Sequence, residues 1–242
     1  MAYNSMQGTR TRTEVVNAFM RGVYGWMFLG LALTAGVAWA TLNVPALSQF
    51  LFQVNEQGQI IGVSPVIWLL FIAELGIVFT LSFRVQKMNP TTSTALFLVY
   101  SGLNGLTLTP ILLAYTMASV FSAFLVCSGM FGAMSLYGLL TKKDLTSWGS
   151  FLFMGLIGIL IAMVVNIFLQ SSAMSLVISG LGVIIFTGLT AYDTQKLKDM
   201  GDVMGNDAAA VRRGTIMGAL TLYLDFINLF IMLLRLMGVA RD

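Results

Sequence analysis

Gly214-Thr215-Ile216-Met217-Gly218-Ala219-Leu220-Thr221-Leu222-Tyr223-Leu224-Asp225-Phe226-Ile227-Asn228-Leu229-Phe230-Ile231-Met232-Leu233-Leu234 contains a single ionisable acid, Asp225, in a run long enough to cross a bilayer. A spanning helix takes about 20 apolar residues. A charge at its centre costs about 2.5–3.5 kcal/mol on insertion scales, so an aspartate held there is read first as functional. A second aspartate, Asp193, closes a 48-residue stretch without a charge, Leu145 to Tyr192. Two consecutive spans thus carry one carboxyl each, which points to a proton or ion site. The plainer reading is a polar contact between helices.

The whole chain repeats this character. Of its 242 residues 57% are hydrophobic and 10% charged, where a soluble domain carries about 25% charge. This is an all-α, multi-pass membrane protein, and its net charge of +3 bears on topology rather than on nucleic acid. Cys127, the one cysteine, excludes an intramolecular disulfide and reads as a packing residue. The sixteen methionines are scattered filler rather than metal ligands. There is no histidine. That removes Ser-His and Cys-His catalysis, His-ligated zinc and haem, and with no nucleotide or EF-hand motif the chain does not read as an enzyme or a cofactor protein. It also removes the usual side chain that changes charge between pH 5 and 8, leaving a buried or paired carboxyl as the pH sensor.

Seven spans follow from the apolar runs and their breaks. The first is Gly22 to Leu42, after a polar N-terminal tail of residues 1–21. A turn-rich connection, Asn43 to Ser64, leads to the second, Pro65 to Phe83, interrupted by Glu74 and ended by Arg84 and Lys87. Met88 to Thr141 is 54 residues without a charge, enough for two spans. With Pro110 as the break, these are Thr91–Thr109 and Ala114–Leu140. Gln170-Ser171-Ser172 divides the next stretch into Ser150–Leu169 and Met174–Leu197. A polar loop, Lys198 to Arg213, precedes the seventh span, Gly214 to Met237. Residues 22–242 therefore form one seven-helix domain.

Eleven of the thirteen basic residues fall on the side of the N-terminus, which the positive-inside rule makes cytoplasmic. Arg235 and Arg241 follow the last span on the other side; a last segment that stops short of crossing would return them to the inside.

Asp193 and Asp225 lie on adjacent antiparallel helices. If they meet, they share a proton and titrate as a pair. Protonated, they latch the helices; deprotonated, they repel and offer oxygens to a hard cation such as calcium. Depth is the difficulty. Asp225 lies twelve residues after Arg213, roughly 18 Å along a helix, whereas Asp193 is near the inner end of its own. They meet if the sixth span runs on into the polar segment, or if the seventh starts deep or kinks. Arg84 ends the second span near the level of Asp193 and is a candidate partner for its carboxylate, with an inner-face anchor as the alternative. Glu74 is a possible accessory group, read as an interhelical hydrogen bond.

The runs Tyr192-Asp193-Thr194-Gln195 and Leu222-Tyr223-Leu224-Asp225-Phe226-Ile227-Asn228-Leu229-Phe230, with Lys142-Lys143-Asp144-Leu145, resemble the Bax-inhibitor (transmembrane Bax inhibitor motif) family, in particular its bacterial branch. The resemblance implies a bacterial inner membrane protein of seven helices with the last surrounded by the other six. It also implies a pH-sensitive calcium leak gated by an aspartate pair, with calcium as a transient ligand of Asp193 and Asp225 and the family's basic residue at Arg84. The connection between the two aspartates is longer than the family's, at Gly201 to Ala210.

Rival readings fare worse. An intramembrane aspartyl protease needs Gly-x-Gly-Asp where this chain has Leu222-Tyr223-Leu224-Asp225, and a late Pro-Ala-Leu motif where no proline follows Pro110. A retinal protein needs a lysine in the seventh span, which has none. A stronger alternative is an interaction protein that modulates a membrane-bound quality-control protease through its N-terminus or the loop Lys198 to Arg213.

Overall fold

The computed structural model describes residues 12–55, 60–203 and 207–241. Its elements are α1 (Arg12–Asn43), α2 (Pro45–Leu51), β1 (Phe52–Val54), β2 (Ile60–Val63), α3 (Val66–Arg84), α4 (Pro90–Leu113), α5 (Met117–Leu140), α6 (Thr146–Leu169), α7 (Ser172–Val203) and α8 (Ala208–Met237). Seven of these, α1 and α3 to α8, are long and apolar enough to cross a membrane.

Local chemistry sets most helix starts. Asn89 accepts a hydrogen bond from the Thr91 amide at 2.9 Å, with Pro90 next to it. Thr116 caps α5 through the Ser119 amide, and Asp207 caps α8 through Ala209. Such side chains satisfy amides that have no partner within the first turn. Gln170 ends α6 in the left-handed conformation, at φ 49°.

At four places the structure departs most from the sequence expectation. The first helix begins at Arg12, inside the expected tail, of which residues 1–11 lie outside the described residues. The Asn43–Ser64 connection holds the short helix α2 and an antiparallel hairpin pairing Phe52 with Val63. β-branched residues in both strands favour that pairing. Pro110 does not break α4, which continues to Leu113. So close to the helix end, the missing amide removes only one late rung. The expected loop from Lys198 to Arg213 is mostly helical, because α7 runs on to Val203 and α8 starts at Ala208.

The last helix runs the full length of the bundle. Beyond it, Val239 O accepts from the Thr116 amide at 3.1 Å and the Arg241 amide donates to Ala114 O at 3.0 Å. The Val239 amide also donates to Ser119 Oγ at 2.9 Å. The C-terminal residues are therefore fastened to the α4–α5 turn, at the bundle end opposite the N-terminus, and a last segment that stops short is excluded.

α8 is the most buried of the seven long helices. Of its most apolar window 72% is buried, against 11% for α6. It packs on α1, α4, α5 and α7 and touches the turn Val85–Lys87 that follows α3, narrower than a full ring of six. α3 leans chiefly on α4, and α6 on α7. Small residues permit the closest approaches, since helices in lipid associate through packing rather than a hydrophobic drive. A Cβ on Gly218 would sit 2.8 Å from Leu197 Cδ2 of α7 and 3.0 Å from Val23 of α1.

Candidate functional site

The motif Tyr192-Asp193-Thr194-Gln195 sends each side chain to a different neighbour. The Tyr192 ring lies against Gly149 of α6, where no Cβ would fit. The Thr194 hydroxyl is fully buried, 3.5 Å from Ser135 Oγ of α5 and from the Tyr24 hydroxyl of α1. Gln195 clamps the α5–α6 loop: its Oε1 accepts from the Leu145 amide and its Nε2 donates to Lys143 O, both at 2.8 Å. Within that loop Asp144 accepts from the Thr146 amide at 2.8 Å. Hydrogen bonds from Thr146 hold the Asp144 carboxyl below the usual carboxylate range.

Asp193 turns to α8, where its carboxyl is hydrogen-bonded to that of Asp225. The depth difficulty is resolved by the extension of α7. Leu197 lies beside Gly218 and Gly182 beside Met232, and this register brings Asp193 opposite Asp225. Asp225 is 5% exposed, and its Oδ2 has no hydrogen-bond partner. Two carboxylates in contact cannot both ionise cheaply, so the hydrogen bond requires a shared proton.

Both aspartates line a cavity of ≈ 790 Å³ between α3, α6, α7 and α8. It lies on the side where α3 and α6 lean on other helices instead of on α8. Its walls include Phe79, Phe153 and Phe186, and its polar side chains besides the aspartates are Ser82, Ser150, Tyr192, Lys196, Thr221 and Asn228. The volume is within the usual range of ligand pockets.

Arg84 is not brought to the pair. It is exposed at the end of α3 and makes no ion pair with Asp193 among the described residues. The cation that acts on Asp193 is Lys196, one turn along the same helix. Its ammonium lies 5.8 Å from the centre of the Tyr192 ring and lines the cavity. The signal for it was in the sequence, because residues three apart share a helix face.

Glu74 sits elsewhere, 6% exposed. Thr107 of α4 donates to its Oε1 at 2.7 Å, and Asn104 is a second hydrogen-bond partner. Asn104 Nδ2 also reaches the Tyr100 hydroxyl at 3.5 Å. Beside this group, Tyr223 meets Thr34 Oγ1 at 2.6 Å and packs edge-on against Phe97 and Tyr100.

The family model described as "Inhibitor of apoptosis-promoting Bax1" matches residues 16–242. This chain belongs to the Bax inhibitor family. It is 50% identical over 227 residues to the inner membrane protein YbhL of Escherichia coli, covering 93% of each chain. It is 44% identical over 233 residues to an uncharacterized protein of Rickettsia prowazekii, covering 96% of this chain and 94% of the other. An uncharacterized membrane protein of Streptococcus pyogenes is 37% identical over 234 residues, covering 94% of this chain and 96% of the other. The two runs that carry the aspartates supply Tyr192, Asp193, Leu224, Asp225 and Asn228 to the cavity lining, and α3 and α6 supply the facing wall.

Proposed function

We propose that this Bax inhibitor family member is a passive, pH-sensitive calcium leak of the bacterial inner membrane, gated by the proton that Asp193 and Asp225 share. One observation carries the reading. Two carboxyl groups touch inside the membrane-spanning core, on the wall of a ≈ 790 Å³ cavity, with one oxygen unpartnered. A shared proton holds α7 to α8. Its loss puts two like charges in contact, drives them apart and exposes oxygen ligands to the cavity. Two carboxyl groups supply at most four of the six to eight oxygens that calcium takes. The ion would keep part of its water shell and pass through instead of residing.

Orientation follows from charge. The basic residues outside the C-terminal segment gather at the bundle end of the N-terminus, which the positive-inside rule assigns to the cytoplasm. Calcium would then leak inward. Lys196, on the cavity wall beside Asp193, acts as a built-in counter-ion that an entering cation must displace.

The test is calcium flux into dye-loaded liposomes holding the purified protein, from about pH 6 to pH 8. Flux should rise with pH, and Asp193→Asn with Asp225→Asn should flatten the profile, since asparagine does not titrate. A double variant with the full pH response sinks the gating role. No flux above empty liposomes from folded protein would favour the partner-binding alternative, including modulation of a membrane protease.

A further inference from the structure

A second cavity, ≈ 450 Å³, lies between α1 and α5 and is lined by Met20, Arg21, Tyr24, Leu139, Leu140 and Lys198, among others. α1 and α5 both pack on α7, so the groove has α7 as its floor and opens sideways. Its rim residue Leu140 is 71% exposed. In a bilayer such a groove faces hydrocarbon, and an acyl chain fills it, because an unfilled void forfeits dispersion contacts on one side. The headgroup is what remains to be selected.

Two cations bear on that selection. Arg21 is exposed, and its Nε donates to Asn17 O on its own helix at 3.3 Å. Asn43, at the other end of α1, is about 33 Å away at 1.5 Å per residue. Arg21 is therefore about one hydrocarbon thickness from the far surface, at headgroup level on the near one. Lys198 rises from the groove floor and donates to Leu139 O at 2.7 Å, with two further ammonium hydrogens to offer. Among the described residues lining the groove there is no acid. The pocket lined by Lys143 and Trp148 also faces the bilayer, but there Asp144 offsets the lysine.

We infer that the α1–α5 groove is a binding site for an anionic phospholipid, its phosphate held by Arg21 and Lys198 and one acyl chain lying against Met20, Tyr24 and Leu140. Guanidinium and ammonium groups at the cytoplasmic edge of a helix cleft suit this chemistry. The site would not be isolated from the aspartate pair. Tyr24 forms its wall and reaches Thr194, the neighbour of Asp193, at 3.5 Å.

Native mass spectrometry of the full chain, released from detergent with equal phosphatidylglycerol and phosphatidylcholine, tests this without any flux assay. Wild type should retain phosphatidylglycerol preferentially. R21Q/K198Q should lower the phosphatidylglycerol-to-phosphatidylcholine ratio about tenfold, the loss of about 1.4 kcal/mol. R21Q alone, which leaves the Lys198–Leu139 contact in place, should lower it by a smaller factor. R84Q/K87Q, the same charge loss at the end of α3, which contributes nothing to the groove lining, should leave the ratio unchanged. Equal retention of both lipids by wild type, an unchanged ratio in R21Q and R21Q/K198Q, or an equal fall in R84Q/K87Q would overturn the site.

Discussion

Glu74 and Asp225 are both buried carboxyl groups within spans, and they are treated in opposite ways. Glu74 is enclosed by donors: Thr107 at 2.7 Å, Asn104 beside it, and the Tyr100–Tyr223–Thr34 cluster next to them. Asp225 has a second carboxyl as its partner, an unpartnered oxygen and a cavity. Donors around a carboxyl fix it in place, whereas an acid facing an acid is held only while a proton is present. Residue type and burial are alike at the two sites; on the proposed function, the identity of the partner is what separates a fastening from a switch.

The sharpest way to break this contrast is to remove the titrating groups in turn. Asp193→Asn/Asp225→Asn should abolish a pH response that, for one proton, reaches up to about tenfold per pH unit. Glu74→Gln should leave the pH profile of calcium flux in place, since the amide oxygen still accepts from Thr107. A flattened profile in Glu74→Gln would make the two carboxyls one system and end the contrast. Lys196→Gln comes next. With the counter-ion gone, flux at fixed pH should rise several-fold and calcium should compete more strongly at the pair, as read by flux against calcium concentration. A fall in flux would show that Lys196 helps ions enter. Tyr223→Phe belongs to the fastening side. It should cost about 0.6–1.7 kcal/mol, the range for interhelical hydrogen bonds, seen as a lower Tm in detergent with the pH profile kept. Gln195→Ala, which frees the Lys143–Leu145 loop, should have the smallest effect, a loss near the low end of that range.

Much of this was legible in the sequence. The seven spans follow from lengths of uncharged chain, and both aspartates stand out because nothing else in their runs is charged. The contact between them was not legible, because it depends on how far α7 continues. Lys198, Asp199 and Asp202 look like a loop to a hydropathy argument, yet they continue a helix whose buried face carries Leu197 and Gly201. Arg84 was a candidate on span-end position, which fixes depth but not azimuth, and the chain turns it outward. Lys196 stands at helical spacing from Asp193, but a lysine so close to a span end reads first as a topology signal. The hairpin between α2 and α3 was hidden by its length, since three and four residues make too short a pattern to separate from a loop.

α8, the most buried span, is also the last to be synthesised. The six long helices that precede it must enter the membrane before α8 exists. Until α8 is made, residues such as Phe97, Cys127 and Leu152, which belong to the same core cluster as Leu220 and Tyr223, lack part of their packing. A nascent chain stopped before Gly214 should therefore be a substrate for membrane quality control. The last helix is fastened when Val239 and Arg241 bond to the α4–α5 turn at the other end of the bundle.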